Sequence, residues 1–417
     1  MDDKKILLIV VDGISDRPIE GKTPLSEAKT PNMDEISSIG INGIMDIIAP
    51  GIRPGSDTGH LALLGYNPFE YYSGRGPIEA AGAGVKIYPG DIAFRVNFGT
   101  VEGEGSIFNK IVVDRRAGRI SETQPLIDAI VENVKLDVEF ILAKGSGHRG
   151  ALVLRGDRLS DKVSDTDPKV IGKKVKRCKP LVSENDDEYE IAKYTSDIVN
   201  DFMEKSHVIL ESHPLNKERE KKGLLKANAL LLRGVGKVPH IPSFEDRYGM
   251  KLAVISGTTL IKGIGKILGG ELIEIEGVTG SKDTNIKGKV EGAIKSLNDY
   301  DFVLLHFKAS DEYGHDGDFE GKMKFIEKID RELKAILELD FSKVCLVLTA
   351  DHSTPVAVRE HTADPVPVAI VYEGVRVDDV KKFSEFEAYK GGLCRIRGMD
   401  LMNIILDLIN KAKKFGA

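Results

Sequence analysis

Three apolar runs in this 417-residue chain end in an aspartate: ILLIVVDG reaches Asp12, FVLLHFKASDEYGH reaches Asp311 with His315 four residues on, and VCLVLTADH reaches Asp351 and His352. In an open parallel sheet the carboxyl ends of the strands face one crevice, so acids from distant segments meet there. Three carboxylates in one crevice repel, and each is driven towards its neutral form unless a cation compensates. His315, His352 and the later His361 add nitrogen donors. Mixed oxygen and nitrogen donation without thiolate suits Mn²⁺, Zn²⁺ or a related divalent ion. Taken singly, an aspartate after a strand is a turn former or a helix cap. What points to metal is the coincidence of three such ends with three of only nine histidines.

Ser56 stands in GIRPGSDTGHLALLGY, a Pro-Gly turn before an apolar helical run. It reads in two ways. One is a helix cap shared with Asp57; the other is a nucleophile at a helix N-terminus, where the dipole and free N–H groups favour an anion and a metal lowers the hydroxyl pKa. Other motifs fail on spacing. GKT at 21–23 has Asp16 where a P-loop requires glycine, and GIGKILG at 263–269 lacks dinucleotide spacing and reads as helix packing. Pro54 precludes a nucleophile elbow around Ser56.

The elements that must position these groups follow from the pattern. ILLIV at 6–10, FVLLHF at 302–307, VCLVLTA at 344–350 and VAIVY at 368–372 are continuous apolar runs of the kind that form parallel strands buried on both faces. Helical patterns lie between them, at 287–297 and 319–339, and a last one follows at 399–412. The alternation predicts an α/β fold with a doubly wound sheet. From about Ser73 to Leu232 the runs are shorter and broken by glycines, with an acidic stretch, VSENDDEYE, before a helical segment to Glu204. YNPFEYYSGRG at 66–76 and GKVPHIPSF at 236–244 read as hinges. The expected organisation is a discontinuous domain, 1–70 with 240–417, carrying an inserted second α/β (α+β) domain at 71–239.

Composition bounds the function. At roughly 150 residues per domain the length fits two domains. The composition is 41% hydrophobic and 30% charged, as in an ordinary globular protein. The net charge of −6, with no long run of either sign, disfavours a general nucleic-acid or acidic-membrane binder. The three cysteines, Cys178, Cys345 and Cys394, form no CxxC pair, which argues against a disulfide framework or thiolate zinc site and for a reducing compartment. No apolar stretch approaches the ~18 residues that span a bilayer. The expectation is a cytoplasmic protein.

In combination, the order DG…PGSDTGH…SDEYGHDGD…ADHSTP…HTADPVP resembles the cofactor-independent phosphoglycerate mutases, in their archaeal-type branch, within the alkaline phosphatase superfamily. The resemblance covers essentially the whole chain. It implies an alkaline-phosphatase-like metal-binding domain and a two-metal site, with Mn²⁺ foremost and Zn²⁺, Co²⁺ or Mg²⁺ as alternatives. Asp12, Ser56, Asp351 and His352 would hold one ion, and Asp311, His315 and His361 the other. Ser56 would be transiently phosphorylated as 3-phosphoglycerate and 2-phosphoglycerate interconvert without 2,3-bisphosphoglycerate. The insertion would be the transferase domain that binds the glycerate, with His60, His148, Arg149, Asp165, Asp167 and Arg233 as candidates and Lys282 contributed from the phosphatase-like domain. The partner implied is the small phosphoglycerate substrate, with neither nucleic acid nor membrane. The seven ligands do not encode the substrate, so a phosphomonoesterase or phosphopentomutase on the same core, or a silent metal-binding protein, stays open at this stage.

Overall fold

The computed structural model describes residues 4–416. The chain forms two compact units, one built from residues up to Tyr72 and from Ile241 onward, the other from Ser73–His240. Among the described residues no helix is long and apolar enough to cross a membrane. All three cysteines are free, with Cys178 and Cys345 buried.

The first unit is built on an eight-stranded sheet. At its centre the strand Lys5–Val11 lies parallel to Phe302–Phe307 on one side and to Val344–Thr349 on the other. Leu252–Ile255 continues the parallel array beyond Phe302–Phe307. Ile6 to Val11 are all fully buried, as expected of a strand covered on both faces. Val366–Val371 departs from the expectation of a parallel strand, because it pairs antiparallel with both Val344–Thr349 and Ile41–Asp46. The reason is the connection: residues 350–365 contain no helix to carry the chain back across the sheet, and a parallel neighbour needs such a crossover.

The flanking helices bury one stripe each. Phe319–Leu333 turns Phe325, Ile326, Ile329 and Leu333 inward at three- and four-residue spacing and ends six residues short of the expected 339, where a 3₁₀ turn Ile336–Glu338 takes over. The last helix, Gly398–Leu408, also stops earlier than expected. In Thr259–Ile267 the glycine pattern serves packing: a Cβ on Gly265 would approach Val254 Cγ2 to 2.8 Å.

The second unit is α+β. The long strand Ile92–Glu102 pairs antiparallel with Arg149–Arg155 and Ala229–Lys237, and at its end with Ile111–Asp114, while Glu139–Lys144 pairs with Arg149–Arg155. Its core includes Phe94, Phe98, Leu152 and Leu231, covered by the helix Tyr189–Ser212 through Val199, Phe202 and Met203. That helix runs eight residues past the expected end at Glu204. The segment read as a hinge at 66–76 contains a helical turn, Pro68–Tyr71, and the first residues of the helix Arg75–Gly82.

Candidate active site

Asp12 is the residue after the central strand, and Gly13 follows it at φ +64°, where a Cβ would run into Thr354 Oγ1 at 2.5 Å. The glycine therefore lets the chain turn directly beneath the acids. Asp311 lies in the first turn of the helix Ala309–Asp316, and Asp351 and His352 follow Val344–Thr349. All four side chains are buried.

They converge. His352 Nε2 lies 3.2 Å from Asp12 Oδ1 and 3.4 Å from Asp351 Oδ2. Around Asp311 Oδ1 stand His361 Nε2 at 3.3 Å and His315 Nε2 at 3.4 Å. The His361 ring stacks on that of His352 with centroids 3.6 Å apart, and its Nδ1 lies 3.0 Å from the Pro54 carbonyl. The donor atoms of Asp12, Asp351 and His352 form one tight group, and those of Asp311, His352 and His361 a second. A third group, His315, Glu360 and His361, brings in a glutamate that the sequence patterns did not single out.

Ser56 is the first residue of the helix Ser56–Leu63, but the cap position belongs to Gly55 and the serine hydroxyl bonds no helix N–H. Ser56 Oγ lies instead 3.0 Å from His352 Nε2. The capping reading of this serine is therefore set aside. His60, one turn on, is fully buried in the first unit, not placed in the second, and its Nδ1 meets the Ser56 carbonyl at 2.7 Å. Burial pushes its imidazole down to about 4, so the ring is neutral and donates from Nδ1.

Burial and neighbouring charges set the electrostatics of the site. Burial alone would raise Asp12, but the Lys308 charge and hydrogen bonds from His306 and His352 outweigh it and hold the carboxyl well below its ordinary value. Burial and the neighbouring Asp12 charge push Asp351 up. Asp351 Oδ2 is buried and has no hydrogen-bond partner. An acid oxygen in that condition costs free energy unless a cation meets it.

In the second unit Arg95 pairs in register with Arg233, and Asn97 with Arg149, so these side chains share one face of the sheet. Arg75 opens the adjacent helix and donates to Glu79 at 3.2 Å, and Arg95 Nε stands 3.7 Å from the same carboxylate. Arg95 Nε and Arg233 Nε are buried without acceptors. Burial, with Arg233, Arg75 and Arg149 nearby, brings Arg95 down to about 10 despite Glu79. His148 is pushed down to about 4, by burial first and then by Arg149, Arg116 and Arg95.

The two candidate aspartates are already engaged. Arg115 grips Asp167 through two bonds of 3.1 and 2.6 Å, while Asp165 accepts from the Gly234 N–H and pairs with Lys169. In the first unit, Lys282 Nζ bonds Asp316 at 2.6 Å and sits over the Tyr313 ring.

The chain matches the Metalloenzyme superfamily across residues 4–408. It is 66% identical over 412 residues to the 2,3-bisphosphoglycerate-independent phosphoglycerate mutase 1 of Archaeoglobus fulgidus, covering 99% of this chain and 100% of that one. To the 2,3-bisphosphoglycerate-independent phosphoglycerate mutase of Methanosphaera stadtmanae the identity is 52%, with 99% of this chain and 100% of that one covered. The chain belongs to this mutase family. Solved structures agree: the cofactor-independent phosphoglycerate mutase of Thermoplasma acidophilum aligns with a TM-score of 0.73 at 37% identity, covering 97% of this chain and 99% of that one. A protein of Pyrococcus horikoshii aligns at 0.84 and 38%, covering both chains completely.

Membership of a mutase family within the Metalloenzyme superfamily implies divalent metal ions, and the residues present fit one. Oxygen and nitrogen donors bound at about 2.1 Å in a tetrahedron lie roughly 3.4 Å from one another. The spacings around His352 and Asp311, 3.2 to 3.4 Å, match this, and the orphaned Asp351 oxygen supplies the unmet charge.

Several residues of the site escaped the sequence patterns. His306 Nε2 lies 2.9 Å from Asp12 Oδ2 and its Nδ1 3.0 Å from Ser256 Oγ, and Thr354 Oγ1 donates to Asp311 at 2.6 Å. A signal existed for His306, since a histidine inside a fully apolar strand must find a polar partner there. Arg95 carried a weaker one, an arginine amid IAFRVNFG.

Proposed function

We propose that the chain interconverts 3-phosphoglycerate and 2-phosphoglycerate through a phosphoserine at Ser56, without 2,3-bisphosphoglycerate. The observation that carries this reading is the 3.0 Å approach of Ser56 Oγ to His352 Nε2 inside the ring of acids. Two divalent ions, with Mn²⁺ as our choice, would be held by Asp12, Ser56, Asp351 and His352 and by Asp311, His315 and His361. When bound, such ions lower the pKa of a hydroxyl and neutralise charge on attacking and leaving oxygens.

The remaining work falls to the protein. Ser56 Oγ gives up its proton as it bonds to phosphorus, the bond to the substrate oxygen breaks, and the departing glycerate oxygen takes up one proton, so no net proton is consumed. The end of the helix Ser56–Leu63 presents its positive dipole to the phosphoryl oxygens. His60 fixes the Ser56 backbone through the carbonyl, so the hydroxyl need not be repositioned between half-reactions. The glycerate must then stay, because water competes for the phosphoserine. In our reading, Arg75, Arg95, Arg149 and Arg233 take its carboxylate, for which a planar guanidinium is a geometric match. Neutral His148 serves as a hydrogen-bonding group beside them, while Asp165 and Asp167 hold the scaffold, and the second hydroxyl of the retained glycerate recovers the phosphoryl group from Ser56.

The test is mass spectrometry after incubation with 3-phosphoglycerate and metal. A phosphoryl group on the Ser56 peptide supports the reading. Its absence under single-turnover trapping, with 2-phosphoglycerate still forming, overturns it.

A further inference from the structure

Lys308 caps the end of the strand Phe302–Phe307, and its ammonium points into the acids. Nζ lies 3.1 Å from both oxygens of Asp12 and 2.6 Å from Asp311 Oδ2. Asp12 belongs to one group of converging donors and Asp311 to the other, so this single side chain bridges the two. Asp351, the third acid, feels the Lys308 charge but has no hydrogen bond from it and keeps its orphaned oxygen.

One ammonium thus pairs directly with two of the three carboxylates. It does so through both oxygens of Asp12, one of which also faces His352, and through the Asp311 oxygen beside the one that faces His361 and His315. Two cations cannot share these partners cheaply. In a partly desolvated crevice a fixed positive charge a few ångströms from a divalent ion opposes its binding.

We propose that Lys308 is the built-in counter-ion of the acidic crevice, stabilising the metal-free protein and setting the strength of cation binding by competing for Asp12 and Asp311. Its role is opposite to that of an orienting residue. An orienting residue strengthens metal binding, whereas Lys308 weakens it and in exchange keeps the crevice folded when no ion is present. The inference rests on the metal-site reading above, and its test separates the two.

The experiment titrates Mn²⁺ calorimetrically into chelator-stripped wild type, Lys308→Met and Lys308→Gln, and records melting temperatures with and without Mn²⁺. Both variants remove the charge, and Gln retains a hydrogen-bond donor. We expect each to bind Mn²⁺ roughly tenfold more tightly than wild type. We also expect each to melt lower than wild type when metal-free, with a larger upward shift on adding Mn²⁺. Binding equal to or weaker than wild type in both variants overturns the inference and makes Lys308 an orienting group. Should Lys308→Met fail to fold without metal, Lys308→Gln decides. Wild type that takes up no Mn²⁺ at all overturns the metal-site reading itself.

Discussion

Arg95 stands opposite Arg233 in the register of two paired strands, and each guanidinium keeps a buried Nε that makes no hydrogen bond, with Glu79 3.7 Å from the one and Asp167 3.9 Å from the other. Like charges facing one another across a strand pair are destabilising on their own. The arrangement makes sense when an anion supplies the missing acceptors.

Arg95→Ala and Arg233→Ala are therefore expected to raise the share of inorganic phosphate among the products from 3-phosphoglycerate, while Ser56 is still phosphorylated. The melting temperature should change little, because each substitution relieves a like-charge contact but also removes a partner of the Glu79 or Asp167 carboxylate. Product analysis by nuclear magnetic resonance checks this, and an unchanged ratio of phosphate to 2-phosphoglycerate would remove the arginine face from the glycerate site.

Ser56→Ala should abolish turnover and leave the fold intact. The hydroxyl caps no helix N–H, and among the described residues it hydrogen-bonds with His352. Losing such a contact costs about 1 kcal/mol. Measurable 2-phosphoglycerate from a well-folded variant would rule out the serine as nucleophile.

Metal removal gives a third outcome. Exhaustive chelation should abolish activity and Mn²⁺ should restore it. Asp351→Asn should bind Mn²⁺ far more weakly, yet its metal-free form should melt at or above the wild-type temperature, since the substitution deletes a buried carboxylate repelled by Asp12. Thermal melts with and without Mn²⁺ distinguish this from general destabilisation, which would lower both.

A pH effect arises away from the metal residues. The Glu385 carboxyl accepts from the Asp16 N–H at 3.0 Å and from Thr23 Oγ1 at 2.9 Å, and burial pushes it up from 4.5 to about 7. An acid raised on folding binds its proton more tightly in the native state, so its contribution is fully present below 4.5 and is lost as the pH rises through about 7. Glu385→Gln should accordingly flatten the fall in melting temperature between pH 5 and pH 8. An identical slope in wild type and variant would refute the role of this carboxyl.

The central strands and the acids at their ends were legible in the residue pattern. A run such as ILLIVVDG is legible because burial on both faces demands unbroken apolar residues and the turn that follows demands Asp-Gly. It also supplied the seven ligand candidates, Ser56 among them, since their order along the chain is specific.

Which groups touch depends on the folded arrangement. That His306 supports Asp12, that Lys308 spans Asp12 and Asp311, and that Arg95 faces Arg233 depend on register and on side-chain direction across elements far apart in sequence. The antiparallel return of Val366–Val371 was hidden for a related reason: an apolar run records burial, and strand direction is set by the connection that precedes it. Periodicity carries one-dimensional information about faces. The electrostatic balance of a crevice belongs to the distances between them, and those exist only after folding.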